Sequence, residues 1–273
     1  MNPKTFRYSE ADGVGTLTLD RPDRLNSLTF EIYRELAAFI PTLEERASTR
    51  VLMLTGEGKG FCSGGDVEDI IGRLFERDAA GLLEFTRVTG AVVRELRALR
   101  KPVIAAVNGT CCGAGALLAI ASDLRLLSAS AKVAFLFVKV GLSGADMGAC
   151  QILPRIVGLG RASEILMRGE FLSSEECLRI GLANRVYPDA EFRARAAEYA
   201  YELACGPAFG LSMTKEMLER EYTMDTSTAV EAEAQAQAIC MGHPDFREAY
   251  EAWKAKRPIR FQGAPGHFGV KRG

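Results

Sequence analysis

The chain predicts an α/β fold that passes into a helical C-terminal region, and three observations carry that prediction. Up to about residue 143, short apolar runs alternate with stretches of helical periodicity. From residue 145 onward almost every segment reads as helix. Two glycine-rich turns, FCSGGD (61–66) and NGTCCGAG (108–115), each lie just after a short apolar run suited to a buried strand.

The elements follow in order. VGTLTLD (14–20) alternates apolar and polar residues as a half-buried strand does. Residues 30–46 have helical periodicity with Ile32, Leu36, Phe39, Ile40 and Leu43 on one face, and Pro41 is placed to kink or split that helix. VLMLTG (51–56) is a nearly continuous apolar run, as in a strand covered on both sides. A helical segment around 82–99 stops at Pro102, and VIAAVNG (103–109) repeats the buried-strand signature. Residues 114–122 are small and apolar, suited to a core helix, and LRLLSASAKVAFLF (124–137) reads as two strands around a Ser/Ala turn. Helices are expected at 147–153, 161–168, 173–180, 190–204, 208–222, 226–241 and 244–255, with only ANRVYP (183–188) interrupting as a strand. The strand, turn and helix units recur too irregularly to define a solenoid.

Composition narrows the function classes. The 273 residues are 48% hydrophobic and 25% charged, enough for one large core with or without a small appendage. With 34 basic against 35 acidic residues, no net field draws the chain to nucleic acid or an anionic membrane. No apolar run reaches the ~18 residues of a membrane span, and the N-terminal stretch lacks an apolar signal core, so a cytoplasmic protein is expected. Seven scattered cysteines without a CxxC pair, and only His243 and His267 beside them, argue against a disulfide framework and against a zinc site. Cys111 and Cys112 lie within the second turn, but no nearby histidine would serve a thiol nucleophile as base.

The two turns suggest chemistry of their own. Where a strand passes into a helix, the first helical amides lack intrahelical acceptors. Two such turns can aim two N–H groups at one oxygen, which is what stabilising an oxyanion or enolate requires.

Taken together, LDRPDRLNSLT (19–29), GKGFCSGGDV (58–67), KPVIAAVNGTCCGAGALLAIASD (101–123), VGLSGADMG (140–148), the stretch 153–188 and the tail FREAYEAWKAKRPIRFQG (246–263) resemble the crotonase superfamily, the enoyl-CoA hydratase/isomerase group. The resemblance covers roughly residues 6–263. It implies a spiral of ββα units over residues 1–200 and a helical trimerisation region with a tail over 201–273, assembled as a homotrimer or a dimer of trimers. It also implies an acyl-CoA thioester substrate, with coenzyme A as part of the substrate and no separate cofactor or metal.

Carried over residue by residue, the resemblance makes the backbone amides of Gly65 and Ala114 the oxyanion hole, with Ala114 departing from the usual glycine. It sets Arg24, Leu25, Ser63, Gly64, Asp66 and Val67 along the CoA path. Lys4, Lys59 and, from a neighbouring subunit, Lys256 and Arg260 are further candidates for the CoA phosphates, with Phe261 near the adenine. The two glutamates that family hydratases use correspond here to Leu117 and Phe137, which can neither activate water nor deliver a proton. Asp146 stands in a loop where some isomerases of the family carry an aspartate. Two readings remain open for it, a proton shuttle or an N-cap on the following helix. Phe75, Leu82, Leu83 and Phe85 could line an acyl pocket, but their helical spacing reads as core. The expected function is enolate chemistry on an acyl-CoA, hydration or double-bond isomerisation through Asp146. A hydrolase, decarboxylase or carbon–carbon lyase, and a non-catalytic CoA-binding protein, are the alternatives.

Overall fold

A hairpin opens the chain: β1 (Phe6–Ala11) and β2 (Val14–Leu19) pair antiparallel in the computed structural model, which describes residues 3–270. Asp12 and Gly13 at its tip both have positive φ, as a two-residue hairpin turn demands. Next comes α1 (Phe30–Phe39), capped by Thr29, whose side chain accepts from the Ile32 amide. Pro41 does split the helix, and Ile40–Leu43 continues as a 3-10 turn. Then follow β3 (Val51–Gly56), β4 (Gly60–Cys62), a π-helical turn at Val67–Gly72, α2 (Ala79–Ala98), β5 (Val103–Val107), β6 (Thr110–Cys112), α3 (Ala114–Ala121), β7 (Leu124–Ser128) and β8 (Lys132–Ala134). The remainder comprises α4 (Ala149–Val157), α5 (Leu159–Arg168), β9 (Leu172–Ser173), α6 (Ser174–Arg179), β10 (Arg185–Tyr187), α7 (Phe192–Ala204), α8 (Ala208–Arg220), α9 (Thr226–Gly242) and α10 (Pro244–Ala255).

The strands divide between two sheets. One has the order β1-β2-β3-β5-β7-β10 and the other β4-β6-β8-β9. Each consecutive pair β3/β4, β5/β6 and β7/β8 sends its first strand to the large sheet and its second to the small one, always parallel to the preceding coil. The irregular repetition in the sequence is therefore a real superhelix, which the variable lengths of the intervening segments disguise. A further strand, β9, breaks the helical second half besides β10.

Covering on both faces explains the continuous apolar strands. Val51, Met53, Ile104, Ala106 and Leu126 pack against Phe192, Ala196, Ala200 and Ala204 of α7, while Leu52, Leu54, Val103, Ala105, Val107 and Leu127 face the main core with α1, α2 and α3. Every residue of α3 is buried. Because α7 belongs to the sheet packing, the tail as a packing unit begins at α8; residues 1–2 and 271–273 of the two expected regions lie outside the described residues.

Buried charges fasten the tail to the core. Lys215 of α8, 8% exposed, donates to Asp123 Oδ2 at 2.8 Å and to the carbonyls of Leu96 and Lys101 at 3.2 and 3.1 Å. Asp123 also accepts from the Val103 amide at 2.7 Å. Arg50 spans to the carbonyls of Ala204, Gly206 and Gln262. Among the described residues no helix is long and apolar enough to cross a membrane.

Candidate active site

The first glycine-rich turn is threaded onto the segment after β2. Ser63 N donates to Leu25 O at 2.9 Å, Leu28 N to Gly64 O at 2.8 Å and Asp66 N to Leu28 O at 2.9 Å. This leaves the intervening Gly65 amide facing away from Leu28, with no acceptor among the described residues. Gly64 turns the chain at φ +110°, a conformation that excludes a side chain.

In the second turn Gly113 takes φ +50° and donates to Ala134 O at 2.9 Å, and Ala114 begins α3. The left-handed angle falls one residue before Ala114. The alanine therefore sits at an ordinary helical position, and its amide, also without an acceptor among the described residues, is retained despite the departure from glycine. The two turns touch. A Cβ built on Gly64 would stand 3.3 Å from Cys112 O and 3.7 Å from Ala114 N, and one on Gly113 would stand 3.6 Å from Gly64 Cα. Gly115 is closer still to the first turn: its Cβ would meet Cys62 O at 2.3 Å and Cys62 Cβ at 2.7 Å. Three glycines thus bring two unpaired amides together.

Asp146 lies in the loop between Gly141, at φ +77°, and Gly148, at φ +86°. The structure corrects the capping reading: α4 begins at Ala149, its N-cap is Gly148, and no side chain caps it. Only the backbone carbonyl of Asp146 takes the Ala149 amide, at 2.8 Å. Burial pushes the Asp146 carboxyl above the usual carboxylate range, partly offset by the Met147 amide.

The residues expected along the CoA path separate into two kinds. Arg24, Leu25 and Val67 are exposed, Val67 to 69%, and Ser63 joins Arg24 through an Oγ to carbonyl contact at 3.3 Å. Asp66 turns inward. It accepts from Arg21 and Ser27 at 3.0 Å each and from the Glu68 and Asp69 amides at 3.1 and 3.0 Å. These bonds, the Asp69 amide foremost, hold its pKa down at about 2, and its carboxylate shapes the loop. Asn26 was not singled out from the sequence, yet it is buried and ties the same loop to Arg21 N, Glu57 O and Gly60 O. Leu117 and Phe137 are buried in the main core.

Two expectations are revised. Phe75 (86% exposed), Leu82 and Leu83 lie at the surface rather than in the core, and Phe85 alone packs against it. Phe261 is buried against its own chain beside Phe268, with ring centroids 5.5 Å apart. Cys111 and Cys112 are buried thiols raised by desolvation, Cys112 to about 11, which opposes a thiolate nucleophile.

The sequence profile described as enoyl-CoA hydratase/isomerase matches residues 9–264. Among curated proteins, the 1,2-epoxyphenylacetyl-CoA isomerase of Escherichia coli K12 is 37% identical over 92% of this chain and 95% of its own. The short-chain-enoyl-CoA hydratase of Clostridium acetobutylicum is 31% identical over 90% and 93%. A solved structure of a provisional enoyl-CoA hydratase from Streptomyces coelicolor A3(2) superposes with a TM-score of 0.92 at 46% identity, covering 95% of this chain and 94% of that one.

Proposed function

The chain belongs to the enoyl-CoA hydratase/isomerase family and is an acyl-CoA-processing enzyme, and from that premise we propose that it moves a proton along the acyl chain of a thioester enolate. The amides of Gly65 and Ala114 receive the thioester oxygen. The Asp146 carboxylate removes a proton from one carbon, the negative charge passes to that oxygen, and the resulting carboxylic acid returns the proton to another carbon. The base is regenerated and nothing else is consumed, so CoA enters only as the handle of the substrate.

One observation carries this reading: Asp146 is a partly enclosed carboxyl, raised by desolvation and free of any capping duty. Leu117 and Phe137 supply no second acid, which favours isomerisation over a two-acid hydration. In deuterated water the enzyme should exchange the α- or γ-protons of an enoyl thioester and shift its double bond, read by mass and NMR. Release of free CoA, carbon dioxide or an aldehyde as the main product would overturn it.

The same proposal includes self-assembly as a trimer or paired trimers through the 201–273 region. Leu218, Val230, Ile239, Met241, Phe246 and Trp253 of α8 to α10 are exposed, an apolar face that a second copy would cover. Light scattering is expected to return three or six chain masses; a monomer at working concentration contradicts it.

A further inference from the structure

Asn108 opens the second glycine-rich turn, and neither the amide pair nor the proton shuttle accounts for its side chain. Its backbone belongs to the bend between β5 and β6, yet its carboxamide reaches across to the bend between β3 and β4, one coil earlier. There Oδ1 accepts from the Gly56 amide at 3.1 Å, while Nδ2 donates to the carbonyls of Gly58 and Gly60 at 3.0 and 3.1 Å. One side chain thus encloses the whole bend 56–60. The Gly60 carbonyl also accepts from Asn26 Nδ2 at 2.8 Å, so both of its lone pairs are taken. The backbones meet as well: a Cβ built on Gly109 would stand 2.0 Å from Lys59 O.

This grip matters because the ladder beyond it is irregular. β4 and β6 pair Gly60 with Thr110 and Cys62 with Cys111, so β4 gains one residue on its partner. That extra residue brings Gly65 level with Ala114, since Gly65 follows Gly60 by five positions and Ala114 follows Thr110 by four. Strands of three residues hold their register weakly, and a slip of one residue would set Gly64 or Asp66 opposite Ala114 in place of Gly65.

We propose that Asn108 is a positioning residue, whose carboxamide pins the start of β4 against the start of β6 and so holds the Gly65 and Ala114 amides on one oxygen. The inference rests on the reading of those two amides as donors to the thioester carbonyl.

The test uses Asn108→Asp, which keeps the size and the acceptor but turns a charge toward two carbonyls, and Asn108→Ala, which removes the whole grip; should one variant fail to fold, the other carries the test. A saturated acyl-CoA with an isotope-labelled thioester carbonyl reports on the amides directly, because hydrogen bonds lower its stretching frequency in the infrared. Both variants should bind it, lower that frequency less than wild type does, and lose ~10- to 100-fold in kcat with KM unchanged. Ser174→Ala is the reference for stability alone: Ser174 fastens the bend between β7 and β8, in the next coil, by donating to Ala129 O at 2.6 Å. It should lower the unfolding midpoint and leave the carbonyl band and kcat as in wild type. An equal kcat loss in Ser174→Ala overturns the assignment, because destabilisation would then explain it. If the band of the wild-type complex does not move, the amide-pair reading fails and the Asn108 assignment with it. If it moves, and Asn108→Asp keeps the full shift and wild-type kcat, only the Asn108 assignment falls.

Discussion

Replacing Asp146 by asparagine is expected to lower turnover on the true substrate by ~10²-fold or more while thioester binding persists, because the amide hole is untouched and only the proton-transfer group is lost. The pH dependence follows from the same carboxyl. It must be ionised to accept a proton, and burial raises its pKa, so activity present at neutral pH should be lost as pH falls through a value above the ordinary carboxylate range. That acidic limb should be absent from whatever activity the variant retains. Wild-type turnover in the asparagine variant would remove Asp146 from the mechanism.

Gly115→Ala is expected to have an effect of similar size through a different cause. The new methyl would stand 2.3 Å from the Cys62 carbonyl oxygen, a backbone atom that cannot rotate away, so the first turn of α3 has to move off β4. Overpacking of this kind costs ~1–3 kcal/mol, to be read from a denaturation midpoint. Because Ala114 precedes Gly115, its amide moves with the turn, and loss of one aligned donor lowers turnover by ~10²–10³-fold. An alanine variant with wild-type turnover would show that the hole does not depend on this contact.

Much of the fold was legible in the sequence where burial is uniform. The runs of β3 and β5 are continuous because α7 lies on one face and the main core on the other, so periodicity had nothing to contradict it. By contrast β4 and β6, three residues each, are too short to show a period, although they carry the two turns. The turns announced themselves through glycine. What no residue type could announce is that Gly64 and Gly113 touch, since that contact joins strands a full coil apart.

The side chains were harder to read. Aspartate before a helix is as good a cap as it is a base, and only the start of α4 at Ala149 separates the two. Helical spacing likewise hid the surface position of Phe75, Leu82 and Leu83, because periodicity reports that a face is apolar and not whether this chain covers it.

The pair of left-handed glycines around Asp146 has an evolutionary consequence. The two glycine-rich turns are built into successive coils of the superhelix and cannot be respaced without unwinding the core, whereas residues 142–147 form a short loop between Gly141 and Gly148 that is anchored at Gly144, against Leu166, and at the buried Met147; a Cβ on Gly141 would meet nothing within 4 Å. On the proposed mechanism, lengthening that loop, or moving its acid by one position, is expected to present the carboxyl to a different carbon and to leave the two turns intact. Descent within such a scaffold can diversify reactions by editing one short stretch, with folding and chemistry under separate selection.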